Sequence, residues 1–299
     1  MFIARKFLIV FVTLVALGAG FPEQVKAEPI IAINNSNVLI RFDSATPGTV
    51  TTQAVTGLMA GDSLFGIDYR PANGLLYGLA LSATGSRVYT INALTGVATF
   101  ASTLSTAVSG VPGIDFNPVV DRLRVVAENE QNLRVDVDTG AVVVDIPLNP
   151  GDHQVTGAAY ANNVAGASST TLYVIDASTD MLFIQTPPNN GTLVGVGALG
   201  VDTGNFIGFD ISGLTGMAYA ALGTNPTTSE FYTINLSTGA ATLVGNIGGP
   251  GDQFFVRGVA ALPGGPAVPE PTTVLLLATG LAGIATRIRK ARKAHDKKE

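Results

Sequence analysis

Twelve residues recur almost unchanged within this chain: YTINALTGVATF at positions 89–100 and YTINLSTGAATL at positions 232–243. A chain that repeats a short segment is building one supersecondary unit several times over, which restricts the fold to stacked or ring-like arrays. Three looser copies join the pair: IRFDSATPGTV (40–50), VDVDTGAVVV (135–144) and IDASTDMLFI (175–184). Each has an alternating strand, then Asn or Asp, usually a Thr and a Gly within the next few residues, and a second strand. The Asx side chain bonds backbone two residues on and Gly supplies the positive φ that closes the turn. The segment is therefore predicted to be a β-hairpin.

A second element precedes four of these hairpins and also ends the body: FGIDYRPANGLLYGL (65–79), PGIDFNPVVDRLRVV (112–126), TGAAYANN (156–163), IGFDISGLTGMAYAAL (207–222) and RGVAAL (257–262). It reads strand, turn, strand, with Asn73-Gly74 as a two-residue turn signal. Joined to the hairpin it makes a four-stranded unit of roughly 45 to 50 residues, the size of a propeller blade. RGVAAL is an inner-type strand with no hairpin after it, and the body opens on three strands lacking their first. Pairing the two ends completes one blade and removes the exposed sheet edges. The expected fold is all-β, a five-bladed β-propeller over residues 28–264. Six blades, should residues 193–204 hold extra strands, and an open β-solenoid are the alternatives. Hydrophobic content of 46%, with 35 glycines and 16 prolines, agrees with a large core and many turns.

Cysteine is absent, so the chain has no disulfide, thiolate ligand or thiol nucleophile. Residues 28–268 carry 18 acidic residues, 7 arginines and no lysine, which leaves the body at −11. Nucleic-acid affinity comes from cations that displace phosphate counterions, so nucleic acid is not an expected partner.

Both ends look like addresses. Arg5 and Lys6, an apolar run over residues 7–19 and the small-residue ending Val25-Lys26-Ala27 form the pattern of a secretory signal, with signal peptidase cutting after Ala27. An uncleaved anchor is the other reading, although the run is shorter than the ~20 residues of a spanning helix. At the far end, beyond a short linker from residue 265, Pro269-Glu270-Pro271 precedes TTVLLLATGLAGIAT and seven cations after Thr286. Cations after such a helix hold that end in the cytoplasm and leave the body outside. This order closely resembles the PEP-CTERM sorting signal of Gram-negative bacteria that make extracellular polysaccharide. The resemblance implies transient anchoring in the inner membrane through the C-terminal helix. An exosortase-type protease then cuts near Pro269, Glu270 and Pro271, and the body is delivered to the cell surface, outer envelope or medium. A plain C-terminal anchor is the alternative.

The least generic part of the body is GIDFNPVVDRLRVVAENEQNLRVDVDTG (113–140). Its DFNPVVDRLRVV, QNLRV and DTG runs, with VRGVAAL near the end, resemble a bacterial family catalogued only as a domain of unknown function and found on exported proteins. That resemblance supports the address and fold and brings no activity.

Asp68, Asp115 and Asp210 share one repeat position, two after the glycine of the unit's first strand, where the other copies have Ala159 and Ala260. First strands line a propeller's channel, so three carboxylates converge there. One reading is a hard cation such as Ca²⁺ held by oxygen ligands; the other is that each braces its own blade by accepting backbone N–H bonds. Arg122, Arg124 and Arg134, beside Asp121, either bind an acidic sugar or other carboxylate or form cross-strand ion pairs. Gly195–Gly200 matches G-x-G-x-x-G without the βαβ context that gives it meaning. Asp136 and Asp138 resemble the start of a calcium loop but lack the acidic residue at its twelfth position. His153 is the only body histidine, and Tyr69, Phe116, Tyr160 and Tyr219 read as packing between blades. The resulting expectation is an exported, non-enzymatic module that binds polysaccharide or another envelope component. The alternative is a calcium-dependent hydrolase or lyase acting on sugars or lactones, with the three aspartates as acid and base.

Overall fold

The computed structural model describes residues 27–223 and 228–264. The repeat resolves into β1 (Pro29–Asn34), β2 (Val38–Asp43), β3 (Thr46–Ala54), β4 (Ser63–Tyr69), β5 (Leu76–Ser82), β6 (Gly85–Ile91) and β7 (Ala98–Thr103). There follow β8 (Pro112–Asn117), β9 (Arg122–Ala127), β10 (Asn132–Val135), β11 (Val142–Val144), β12 (Val155–Tyr160), β13 (Leu172–Asp176), β14 (Met181–Gln185) and β15 (Leu193–Ala198). The last are β16 (Ile207–Ile211), β17 (Ala218–Leu222), β18 (Glu230–Ile234), β19 (Ala241–Asn246) and β20 (Val256–Ala261). They form five antiparallel four-stranded sheets, ordered from the axis outward β20-β1-β2-β3, β4 to β7, β8 to β11, β12 to β15 and β16 to β19. The chain is a five-bladed β-propeller, and residues 193–204 add one strand rather than a sixth blade.

The inner strands of each blade are buried on both faces, which is why segments such as PIIAIN and VTGAAY read as nearly continuous apolar runs. Successive side chains point to opposite faces of a strand, so Ile31 and Ile33 pack with β4 and β5 residues while Ile30 and Ala32 pack with Tyr219 and Phe231. Five apolar clusters result, one in each gap between neighbouring blades.

The ring shuts where β1 pairs β20, with Ile30 opposite Ala261 and Ile33 opposite Gly258. Glu28 latches this seam. Its backbone bonds Ser44 in both directions, and its carboxyl, 3% exposed, accepts from Ser212 Oγ at 2.6 Å and from Thr215 Oγ1 and Tyr219 OH at 2.7 Å each. Three donors of the last blade thus hold the residue that begins the first.

Closing only five blades brings the inner strands very near one another. Gly66, Gly113, Gly157, Gly208 and Gly258 occupy one position in the five inner strands. A Cβ on Gly113 would lie 2.8 Å from the carbonyl carbon of Gly157, and one on Gly258 would lie 3.0 Å from the Cα of Gly66. Glycine is here a demand of close approach, not of turn geometry.

The Asx turns form as expected. Asn92 Oδ1 accepts from the amides of Leu94 and Thr95, and Gly96 sits at φ 72°. One copy is displaced. In four blades the motif joins the third and fourth strands, whereas IDASTDMLFI joins β13 to β14, the second and third. Asp176 caps that turn through the Ser178 amide, and Asp180 at φ 52° stands where three other copies have Gly96, Gly140 and Gly239. Any hairpin with the right twist accepts this turn chemistry, so the motif marks a hairpin without saying which one. Tyr219 lies on β17 opposite Asp210, as Tyr77 lies opposite Asp68, and packs between the last and first blades.

The signal segment, apart from the exposed Ala27, and the linker with Pro269, Glu270, Pro271 and the apolar segment lie outside the described residues. Among the described residues no helix is long and apolar enough to cross a membrane.

Two substitutions test closure by urea unfolding. Gly113→Ala is expected to cost about 1–3 kcal/mol through overpacking, against a change within about 0.5 kcal/mol for Gly48→Ala, whose Cβ would meet only ordinary contacts. Glu28→Ala, which strands three hydroxyl donors, is expected to cost on the order of 3 kcal/mol.

Candidate functional site

The ring axis is where the three repeat aspartates meet. Standing two residues after an inner glycine, each shares the glycine's face and so points across the narrow gap at the next blade. Asp68 Oδ2 accepts from the Phe116 amide at 2.7 Å, and Asp210 Oδ2 accepts from the Ala261 amide at 2.6 Å. Asp210 Oδ1 also accepts from the Ile211 amide. These two carboxyls are braces. Asp115 differs: the Tyr160 amide and the Asp210 carboxyl stand beside it, yet neither of its oxygens accepts a hydrogen bond. All three residues are 1% exposed, and one oxygen from each lies within 4.8 Å of the other two.

Burial in low dielectric disfavours the charged form of a carboxyl, and like-charged neighbours disfavour it further. Burial pushes Asp210 up to about 6 against the opposing pull of its two amide donors. Asp68 is raised well above the usual range by burial and then by Asp210. Asp115 is raised by burial and then by Asp68 and Asp210.

Further along the axis lies a cavity of ≈ 10 Å³, lined by inner-strand residues of all five blades, among them Pro112, Ile207 and Arg257. That is room for about one water. A cavity of that size does not hold a sugar, and the three carboxyls beyond it are 1% exposed.

Arg257 is at the mouth, three residues before Ala260 and so about 10 Å along the strand from the carboxylate level. It is the extra residue of a β-bulge in β20, as Phe65 is in β4 and Thr156 in β12. Bulges re-aim side chains, and here the guanidinium sits between two rings, 4.3 Å from the Phe65 centroid and 5.1 Å from that of Phe206. Nη1 donates to Ser63 Oγ at 3.0 Å, while Nε is buried without a partner. Burial draws its pKa below an arginine's usual value. The sequence did hold a signal for this residue: the other copies have Phe65, Pro112, Thr156 and Ile207 in that slot.

The arginines singled out by their spacing are engaged elsewhere. Arg124, 2% exposed, lies opposite Arg134 across β9 and β10, and both donate to Asp145 at 2.8 Å. Arg124 also reaches Asn132 and Asn189. Although burial alone would raise Asp145, these donors hold it below the usual carboxylate range. Arg122 pairs with Asp136 at 3.2 Å, and Asp121 with Arg70. This is the cross-strand ion-pair arrangement, in which no guanidinium of the trio is left unpaired. Asp136 caps its turn through the Asp138 and Thr139 amides. The segment 195–200 runs along β15 into a bend with no helix after it. His153 Nδ1 lies 2.7 Å from Asp176 Oδ2, and its Nε2 lies 2.7 Å from the Pro150 carbonyl.

Because Asp68, Asp115 and Asp210 titrate higher in the folded chain than in the unfolded one, the stability they contribute is complete below about pH 4. It is lost as pH rises through about 6 and beyond. In chelator-containing buffer the urea midpoint is expected to fall from pH 4 to pH 7.5, and Asp115→Asn to flatten that fall. A midpoint that rises steadily over the range contradicts the assignment.

Residues 267–290 match the PEP-CTERM protein-sorting motif, the mark of an exported protein that exosortase-type machinery sorts to the cell envelope or surface. Two solved structures are similar over 80% of the chain. One is a structural-genomics protein of unknown function from Bacteroides thetaiotaomicron VPI-5482, with 16% identity and a TM-score of 0.48. The chain spans 63% of that protein's length. The other is from the nidogen/laminin complex, with 13% identity, a TM-score of 0.48 and 99% of that chain covered. No curated protein matches. Residues 38–260 match the family described as a domain of unknown function (DUF4394), and the chain belongs to that family.

Proposed function

We propose that this protein is a surface-displayed, non-enzymatic binding module that holds a carboxylate-bearing envelope ligand, such as an acidic sugar residue, at the channel mouth. One observation carries the reading. Of the seven body arginines, five are ion-paired and Arg41 donates to the carbonyls of Ala93 and Leu94. Arg257 alone meets neither a carboxylate nor a carbonyl among the described residues, and it is held rigid between two rings.

A guanidinium presents paired donors that match a carboxylate, and clamping between aromatic faces fixes its orientation in advance. The ring edges of Phe206 and Phe255, whose centroids are 4.9 Å apart, give an apolar surface beside it. A body at −11 repels polyanions over a Debye length, so a ligand with sparse charge is favoured over a densely charged polymer. The sealed axial carboxylates support a structural role for the ring centre over a catalytic one. The sorting signal supports transient inner-membrane anchoring followed by residence at the surface or outside it.

Calorimetric titration with uronate-containing oligosaccharides, and with neutral ones of equal length, tests the proposal. Acidic oligosaccharides are expected to bind. Arg257→Gln is expected to weaken them by about tenfold or more, while Arg122→Gln leaves affinity unchanged. Equal binding by Arg257→Gln, or no acidic binding together with turnover of a sugar or lactone, overturns the reading.

A further inference from the structure

We infer that one calcium ion is held on the ring axis by Asp68, Asp115 and Asp210. The inference is independent of the ligand reading at the mouth.

Three acidic residues near one another do not make a site. What makes one here is the hydrogen-bond accounting around them. Asp68 Oδ2 and both oxygens of Asp210 already accept backbone amides. Asp68 Oδ1 and both oxygens of Asp115 are fully buried and accept nothing. Buried acceptors almost always have partners, because leaving one unmade forfeits its hydration without return. Asp115 is the decisive residue: it is 1% exposed, neither of its oxygens accepts a hydrogen bond, and one of them lies within 4.8 Å of an oxygen from each of the other two carboxyls. Three acceptor groups facing one another without a donor between them call for a cation or for shared protons.

The donor set and its spacing select the ion. All three side chains supply hard oxygen, and the one body histidine is engaged with Asp176 instead. Oxygens within 4.8 Å of each other put a centred ion at most about 2.8 Å from each, which admits calcium's 2.3–2.6 Å bonds, and calcium tolerates the irregular shell that three buried carboxyls offer better than magnesium, which demands an octahedron. Ala159 and Ala260 hold the same repeat position in the two remaining blades and add neither a charge nor a long side chain there. Three carboxyl oxygens fill part of a six-to-eight-oxygen shell, and backbone carbonyls or water supply the rest. Export also brings the chain to a compartment where weak extracellular-type calcium sites are filled.

The test uses the purified exported protein. Elemental analysis before chelation is expected to find about one calcium per chain. After chelation and dialysis at pH 7.5, calcium at 2 mM is expected to raise the melting midpoint by at least about 5 °C, with a smaller response to magnesium. Asp115→Asn, which keeps the side-chain shape, is expected to melt at one temperature with calcium or chelator. If that variant does not fold, the wild-type comparison decides alone. Wild-type protein that contains no calcium and melts identically in calcium and chelator overturns the inference and leaves the carboxyls sharing protons.

Discussion

Backbone-to-backbone approach at the ring centre sets the terms for the rest of this structure. Five sheets close only if their inner strands nearly touch: a Cβ would run into backbone at Gly113, Gly208 and Gly258, and into the side chains of Ile114 and Ile207 at Gly66 and Gly157. The same narrowness turns the next outward-facing position on each strand toward the adjacent blade. An aspartate placed there can reach the amide of a neighbouring strand, and three such residues from different blades cannot avoid one another. Convergence of the carboxyls is thus a geometric result of ring size. A wider ring would hold the same residues apart around a solvent channel.

Charge is arranged accordingly. Toward the rim, guanidiniums and carboxylates lie across adjacent strands and blades. Arg70 lies between Asp121 and Asp138, and Asp145 between Arg124 and Arg134, so their fields cancel locally. On the axis no such cancellation exists: three carboxyls lie at one level and Arg257 lies about three residues away along the strands, screened by aromatic rings. Ionisable groups without local compensation are where binding energy for an outside ion or ligand is available.

Much of this architecture was readable from the sequence, because a repeat states its own geometry. Asn92, Asp136 and Asn235 announce turns, and RGVAAL matched to the incomplete first unit announces the seam between β1 and β20. The displaced IDASTD turn escaped that reading. Its Asp176 follows Ala159 by 17 residues, where Asn92 follows Asp68 by 24, and the missing length is a missing strand. At the axis, spacing gave the positions of Asp68, Asp115 and Asp210 but not that Asp115 alone lacks a donor. Nor did clustering in sequence separate Arg124, buried against Asp145, from Arg257, which depends on a bulge no composition reveals. Local order shows through a repeat; compensation between distant strands does not.

The seam also bears on when this protein can mature. β1 waits for β20, some 220 residues later, and the sorting motif begins at residue 267, a few positions beyond that strand. During export the leading blades can assemble as they emerge, but the first sheet stays incomplete until almost the whole chain has crossed. Ring closure and arrival of the sorting motif therefore fall within a few residues of translocation of each other. A chain truncated short of that point presents an open, unpaired β1 edge, the kind of strand edge that invites pairing with another chain.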